Sequence, residues 1–209
     1  SNIVLVLKMW ILYGYCTILV SKAIFVIFDI IARIPLFLRK RHRWRWLSYT
    51  GAGIADVAFL LMWWGALFNR FNLQVRTLDV VIPELPASFD GLRIVQISDI
   101  HSGTYIDDPS FLAEMVDTIN ALKPDVVFFT GDIVNREHSE LAPFITTLAG
   151  LKAPMGVYSI LGNHDYGDYI DWPTPQDKAA NMKGLREDFA KMGWKLLLNQ
   201  TAWLRKGND

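Results

Sequence analysis

Two long apolar runs at the front of the chain leave few folds open to it. Met9 to Ile31 is overwhelmingly apolar, broken only by Lys22 and Asp29, and Leu47 to Phe68 is broken by Asp56. A helix apolar on every side is buried in a large core or spans a membrane. At about 1.5 Å per residue the second run makes a helix of roughly 33 Å, close to the thickness of a hydrocarbon core. A secretory signal is shorter and is not followed by a second span. Residues 1–71 are therefore expected to form a membrane region with transmembrane helices at about 9–31 and 47–68, and residues 72–209 a separate domain. With Ser1 in place of Met, the natural start is expected upstream, with room for further spans.

Between the runs lie Arg33, Arg39, Lys40, Arg41, Arg43 and Arg45, with no acid among them. Short loops this basic stay cytoplasmic, which puts both ends of the hairpin on the outer side of a bacterial inner membrane. Trp10, Tyr13, Tyr15, Trp63 and Trp64 then share the outer interface, while Trp44 and Trp46 mark the inner one. The competing reading is a basic surface loop that binds anionic lipid heads or nucleic acid. A hairpin centred near Arg39 brings Lys22 and Asp56 to one depth. A charge alone there costs about 2.5–3.5 kcal/mol on insertion scales, so the two are expected to face each other.

The neutral total charge hides opposite halves. Residues 1–80 carry ten Lys or Arg against three Asp or Glu, and residues 81–209 eleven against eighteen. An acidic back half with no basic cluster argues against a nucleic-acid groove and suits a site for cations. Cys16, the single cysteine, rules out an intrachain disulfide.

The back half alternates strands and helices, the pattern of an α/β sheet. Strands are expected at 74–82, 92–97, 126–129, 156–160 and 195–198, with a further strand-like stretch at 201–204. Helices are expected at about 109–122, 137–148 and 176–192, the first burying Phe111, Met115, Ile119 and Leu122. Three of the apolar strands run into polar clusters: Ser98-Asp99-Ile100-His101, Thr130-Gly131-Asp132 and Gly162-Asn163-His164-Asp165. The C-terminal edge of an open α/β sheet is where ligands bind, so the three clusters are expected to meet in one crevice. Carboxylate, imidazole and amide donors suit Mn, Fe or Zn.

Asp99-x-His101, Gly131-Asp132-x-x-Asn135 and Gly162-Asn163-His164-Asp165 resemble, in order and spacing, the first three motifs of the calcineurin-like metallophosphoesterases. The resemblance covers about residues 75–209, and the stretch 89–103 is similar to membrane-linked bacterial phosphodiesterases of that family. It implies the first part of an α/β/β/α sandwich with two divalent metal ions. Asp99 and His101 would hold the first, Asp132 would bridge both, and Asn163 would hold the second through its amide oxygen. It further implies that a hydroxide shared by the two ions attacks phosphorus while His164 stabilises the transition state or protonates the leaving oxygen. The expected function is hydrolysis of phosphoesters, mainly diesters, with lipid-linked or envelope phosphates favoured by the membrane anchor. The alternative is a membrane-tethered binding or sensor module of weak catalysis.

Two departures from the family pattern matter. Asn135 stands where many relatives have Asp, and an amide can orient His164 without supplying a counter-charge. No His follows His164, although the family completes its metals with a later His and a Gly-His-x-His, so the chain is expected to be truncated at its C-terminus. Other polar residues have blander readings. Asp165 is a helix cap or a partner of the ligands, His138 is solvated, and Asp107 and Asp108 cap the following helix. Tyr166 and Trp172 either line a cleft or pack under their loop.

Overall fold

Apolar composition sets the length of the first two helices in the computed structural model, which describes residues 2–38 and 42–207. Helix α1 spans Asn2–Phe37 and contains the expected 9–31 span, and α2 spans Arg45–Leu67 and contains the expected 47–68 span except for Phe68, which caps it. Both are long and apolar enough to cross a membrane. Arg39, Lys40 and Arg41 of the basic connection lie outside the described residues. The chain divides into two compact units, Ser1–Val75 and Arg76–Asp209.

In the first unit the helices pack antiparallel through a seam that sequence spacing alone does not fix. The Tyr13 hydroxyl donates to the Met62 carbonyl at 2.6 Å, and Trp10 stacks on Trp63 with centroids 6.0 Å apart. Gly51 lies so close to Phe28 that a Cβ there would overlap the ring. Ser48 donates to Asp29 at 2.8 Å, and Arg33 pairs with the same carboxylate at 2.7 Å. Asp29 is thus satisfied inside the hairpin. Lys22 and Asp56 do not face each other as expected: both are exposed, and among the described residues no ion pair joins them. The reason is rotation. Lys22 follows half-buried Ser21 and Asp56 follows buried Ala55, and one residue turns a side chain about 100° off the seam.

The second unit is a parallel α/β sheet. Strands β1 (Ile94–Ile97), β2 (Val126–Phe129), β3 (Val157–Ser159) and β4 (Lys195–Leu196) lie in the order β1-β2-β3-β4, each parallel to its neighbour. Parallel neighbours need crossovers. Helix α3 (Ser110–Ala121) lies between β1 and β2, the short α4 (Ile145–Leu148) between β2 and β3, and α5 (Pro175–Lys191) between β3 and β4. Phe129 meets Phe189 of α5 and Trp194 on one face of the sheet. On the other face Phe128 and Tyr158 line an apolar cavity with Ala202 and Leu204.

Several sequence expectations shift for physical reasons. Residues 74–82 form no strand, because an extended, β-branched segment needs a neighbour to bond to, and Leu78 and Val81 stand more than four-fifths exposed. Residues 201–204 are likewise irregular. The helix expected over 137–148 is a 3-10 segment at His138–Phe144 followed by α4, since Pro143 supplies no N–H and disfavours α geometry before it. Helix α3 buries Leu112, Met115, Val116 and Ile119, while Phe111 turns aside to stack on Tyr105.

Candidate metal centre

Because the strands are parallel, β1, β2 and β3 all end at one edge, and the polar clusters leave from there. The first two stay zipped beyond the strands. Backbone N–H groups of Asp99, His101 and Ser102 donate to the carbonyls of Gly131, Asp132 and Ile133 at 2.9, 3.0 and 2.9 Å. This register forces the left-handed region on Asp99 (φ 55°), His101 (φ 48°) and Asp132 (φ 62°). Such a backbone is uncommon outside glycine, is best tolerated by Asn, Asp and His, and clusters at functional sites. Gly131 (φ 109°) is required, because a Cβ there would fall 2.6 Å from the Gly162 Cα. The second and third loops therefore touch backbone to backbone.

A buried carboxylate ties those loops together. Asp165, fully buried, accepts N–H donors from Asp132 (2.8 Å), Ile133 (2.9 Å), Val134 (3.3 Å) and Gly162 (2.9 Å). Burial pushes its carboxyl above the ordinary aspartate value, and the four donors pull the other way. Of the two sequence readings of Asp165, cap or partner, the structure shows a partner of the loop backbones. Glu140, also buried, accepts from Asn135 N (2.7 Å) and Arg136 N (3.2 Å). Its carboxyl is raised by burial against those two donors.

The side chains converge as follows. His101, Asp132 and His164 each offer one ligand atom within 4.8 Å of the others. The two imidazoles meet edge to face, with centroids 4.7 Å apart. Asp99 stands 64% exposed, its Oδ1 3.8 Å from His101 Nε2 and outside the tight group. Asn163 is exposed and donates through Nδ2 to the Tyr169 hydroxyl at 2.8 Å, which leaves its amide oxygen for another partner. Oxygen and nitrogen donors without a thiol fit a hard or borderline divalent ion.

His164 is held on three sides. Its backbone N–H donates to Asp132 Oδ1 at 2.9 Å, its Nδ1 lies 2.8 Å from the Asn135 carbonyl, and Tyr169 stacks on its ring at 4.2 Å. A carbonyl only accepts, so Nδ1 carries the proton and Nε2 is the nitrogen left for chemistry. The Asn135 side chain does not orient His164 as expected. It donates to Thr104 Oγ1 at 3.2 Å instead, and the backbone carbonyl takes over the task.

Sequence reasoning missed Glu140 and Tyr169. Neither sits in a motif, and only the folding of their loops brings them to the site. His138 is not merely solvated: its Nδ1 lies 3.0 Å from buried Asp188, which also binds Lys191. Asp108 accepts from Ser110 N and Oγ just ahead of α3, but the N-cap position itself is Pro109 and neither Asp107 nor Asp108 occupies it. Trp172 packs under its loop, donating to the Gly167 carbonyl at 2.6 Å.

Several known proteins are similar to this chain. LpxG of Chlamydia trachomatis serovar D, a UDP-2,3-diacylglucosamine pyrophosphatase, is 39% identical over 113 residues, 53% of this chain and 34% of that protein. A transmembrane protein with metallophosphoesterase domain from Danio rerio is 41% identical over 93 residues, 44% of this chain and 21% of that one. The metallophosphoesterase YkuE of Bacillus subtilis is 41% identical over 92 residues, 41% and 30% of the two chains. The chain thus spans about a third or less of the length of these curated relatives. No solved structure matches it. Residues 92–208 match the calcineurin-like phosphoesterase model, and with the three motifs gathered at one sheet edge, the chain belongs to that family of metal-dependent hydrolases.

Proposed function

We propose that the chain belongs to a membrane-anchored hydrolase of phosphodiesters or pyrophosphates whose substrates are lipid-linked. The gathering of His101, Asp132 and His164 at the strand ends carries this reading. In it Asp99 and His101 hold one divalent ion, Asp132 is shared between two, and Asn163 offers its amide oxygen to the second. Ions such as Mn, Fe or Zn supply the Lewis acidity that activates water and offsets charge on phosphate oxygens. The protein's own task is orientation. Asp132 spends one oxygen on the His164 N–H and keeps the other for ligation. His164, fixed by the Asn135 carbonyl and the Tyr169 ring, presents Nε2 to the leaving oxygen; as the imidazolium, protonated on both ring nitrogens, it gives up the Nε2 proton and returns to the neutral ring with its proton on Nδ1.

Location and relatives support the substrate class. The LpxG relatives are named for a pyrophosphate that carries two acyl chains, a substrate that partitions to bilayers, and two apolar helices here suit the same surface. The basic connection favours a site on the outer face of an inner membrane. The test measures bound metal beside hydrolysis of a chromogenic phosphodiester and of UDP-2,3-diacylglucosamine. Asp132→Asn should lose metal and turnover together, whereas His164→Ala should keep metal and lose roughly 100-fold or more in rate. An Asp132→Asn protein that retains both would overturn the assignment. A periplasmic reporter fused after Phe71 tests the topology, and its silence would reverse the orientation.

A further inference from the structure

We propose that the hairpin binds a second copy of this chain, Lys22 of each copy meeting Asp56 of the other across a twofold axis along the membrane normal. The inference rests on the two helices spanning a bilayer, and the reporter after Phe71 tests that premise separately.

The first observation is an imbalance within the hairpin. Its acids are Asp29 and Asp56, and Asp29 is already engaged by Ser48 and Arg33. Lys22 and Asp56 stand exposed in the middle of apolar helices. Ionisable groups at that depth pair with one another or face a cavity.

The second observation is their level. Gly51 packs on Phe28. Asp56 lies five residues along α2 from Gly51, and Lys22 six residues back along α1 from Phe28. The helices are antiparallel, so the two charges sit at one depth to within about one residue, roughly 1.5 Å.

The third is direction. Each charge follows by one residue a position turned toward the seam, Ser21 on α1 and Ala55 on α2. In antiparallel helices that same step turns both side chains toward one side of the hairpin. A single face therefore displays a cation on one helix and an anion on the other, level with each other but splayed. Rotating a second hairpin by half a turn about the membrane normal keeps its depth and topology, and sets α1 of each copy against α2 of the other. Both charge pairs form at once, as an isologous interface demands. On α2 the same region offers Gly53, where an added Cβ would meet nothing within 4 Å, so a neighbouring helix can approach closely.

The test uses the full chain in lipid nanodiscs or vesicles. Equal amounts of unlabelled and 15N-labelled wild type are mixed, treated with a carbodiimide that joins amines to carboxylates, and digested. A linked Lys22–Asp56 peptide of mixed isotope composition is expected. Two tagged variants sharpen the result. Lys22→Asp repels its own copy at both contacts and Asp56→Lys does the same, yet the two together restore both pairs. Co-expressed, they should co-purify roughly ten-fold more than either does with itself. A wild-type cross-link confined to one isotope class would overturn the proposal by making the pair intrachain. So would wild type that stays monomeric, or either variant self-associating as well as wild type. Capture of another membrane helix by Lys22 in place of a second copy would also overturn it.

Discussion

Asp165→Asn is the sharpest probe of how the site is held. Asp165 Oδ2 accepts from the N–H groups of Asp132 and Gly162, and Oδ1 from those of Ile133 and Val134. Asparagine fills the same volume but keeps one acceptor oxygen, so its NH2 must point at two backbone N–H groups. Two bonds to a charged acceptor are lost, worth about 1.5–3 kcal/mol each. Relief from burying a charge returns part of this, leaving a loss of about 3 kcal/mol. For a unit of this size that is a fall in Tm of roughly 10–15 °C. Thermal melting of the detergent-solubilised chain measures it, and hydrogen exchange localises it. Amides of 132–134 and 162 should lose protection, while those of α3 should change only through global stability. Asp168→Asn is the control, because Asp168 is an exposed acid paired with Lys178, and such pairs contribute about 1 kcal/mol at most. A variant at Asp165 that melts within 3 °C of wild type with unchanged exchange would refute the brace.

Glu140→Gln should alter the pH dependence of stability. Burial holds the Glu140 carboxyl above its ordinary value, so its stabilising contribution is complete below the unfolded pKa and is lost as pH rises through the folded one. Wild-type Tm should decline across that window and the variant's should not; parallel curves would exclude the effect. Tyr169→Phe keeps the ring on His164 but frees the Asn163 amide, and should weaken metal binding by roughly ten-fold in a metal titration with the rate at saturating metal little changed. Tyr169→Leu removes the stack as well and should also lower that rate. Gly131→Ala meets both a left-handed backbone and the Gly162 backbone, and should destabilise by about 2–4 kcal/mol in urea unfolding.

Some of this was legible without coordinates because it depends on local pattern. Apolar runs fixed the two helices, and buried strands ending in polar clusters placed the motifs at one edge. What failed depends on neighbours. Residues 74–82 have strand chemistry but no strand beside them. Lys22 and Asp56 match in depth but both turn off the seam between the helices, since counting residues from a loop gives height along an axis and says nothing about azimuth. The role of Asn135 was right in its target and wrong in its atom, because which of its groups reaches His164 depends on the turn the chain takes there.

The carboxylates show where residue identity stops being informative. Asp132 and Asp165 both belong to motifs, and both lie where the second and third loops meet. Asp165 directs both oxygens at backbone N–H groups and has none left for a ligand. Asp132 gives one oxygen to the His164 N–H and retains the other. Glu140, outside every motif, acts like Asp165, with one oxygen accepting two N–H groups. Bracing thus falls to carboxylates surrounded by donors. Ligation falls to those left with spare lone pairs at the sheet edge. The hydrogen bonds that align the three loops run from backbone to backbone, to these braces, and from the His164 N–H to Asp132. The loops that carry the proposed ligands are thus aligned largely by backbone and by carboxylates with no oxygen to spare for an ion, so a change at Asp165 should be felt at a site it does not touch.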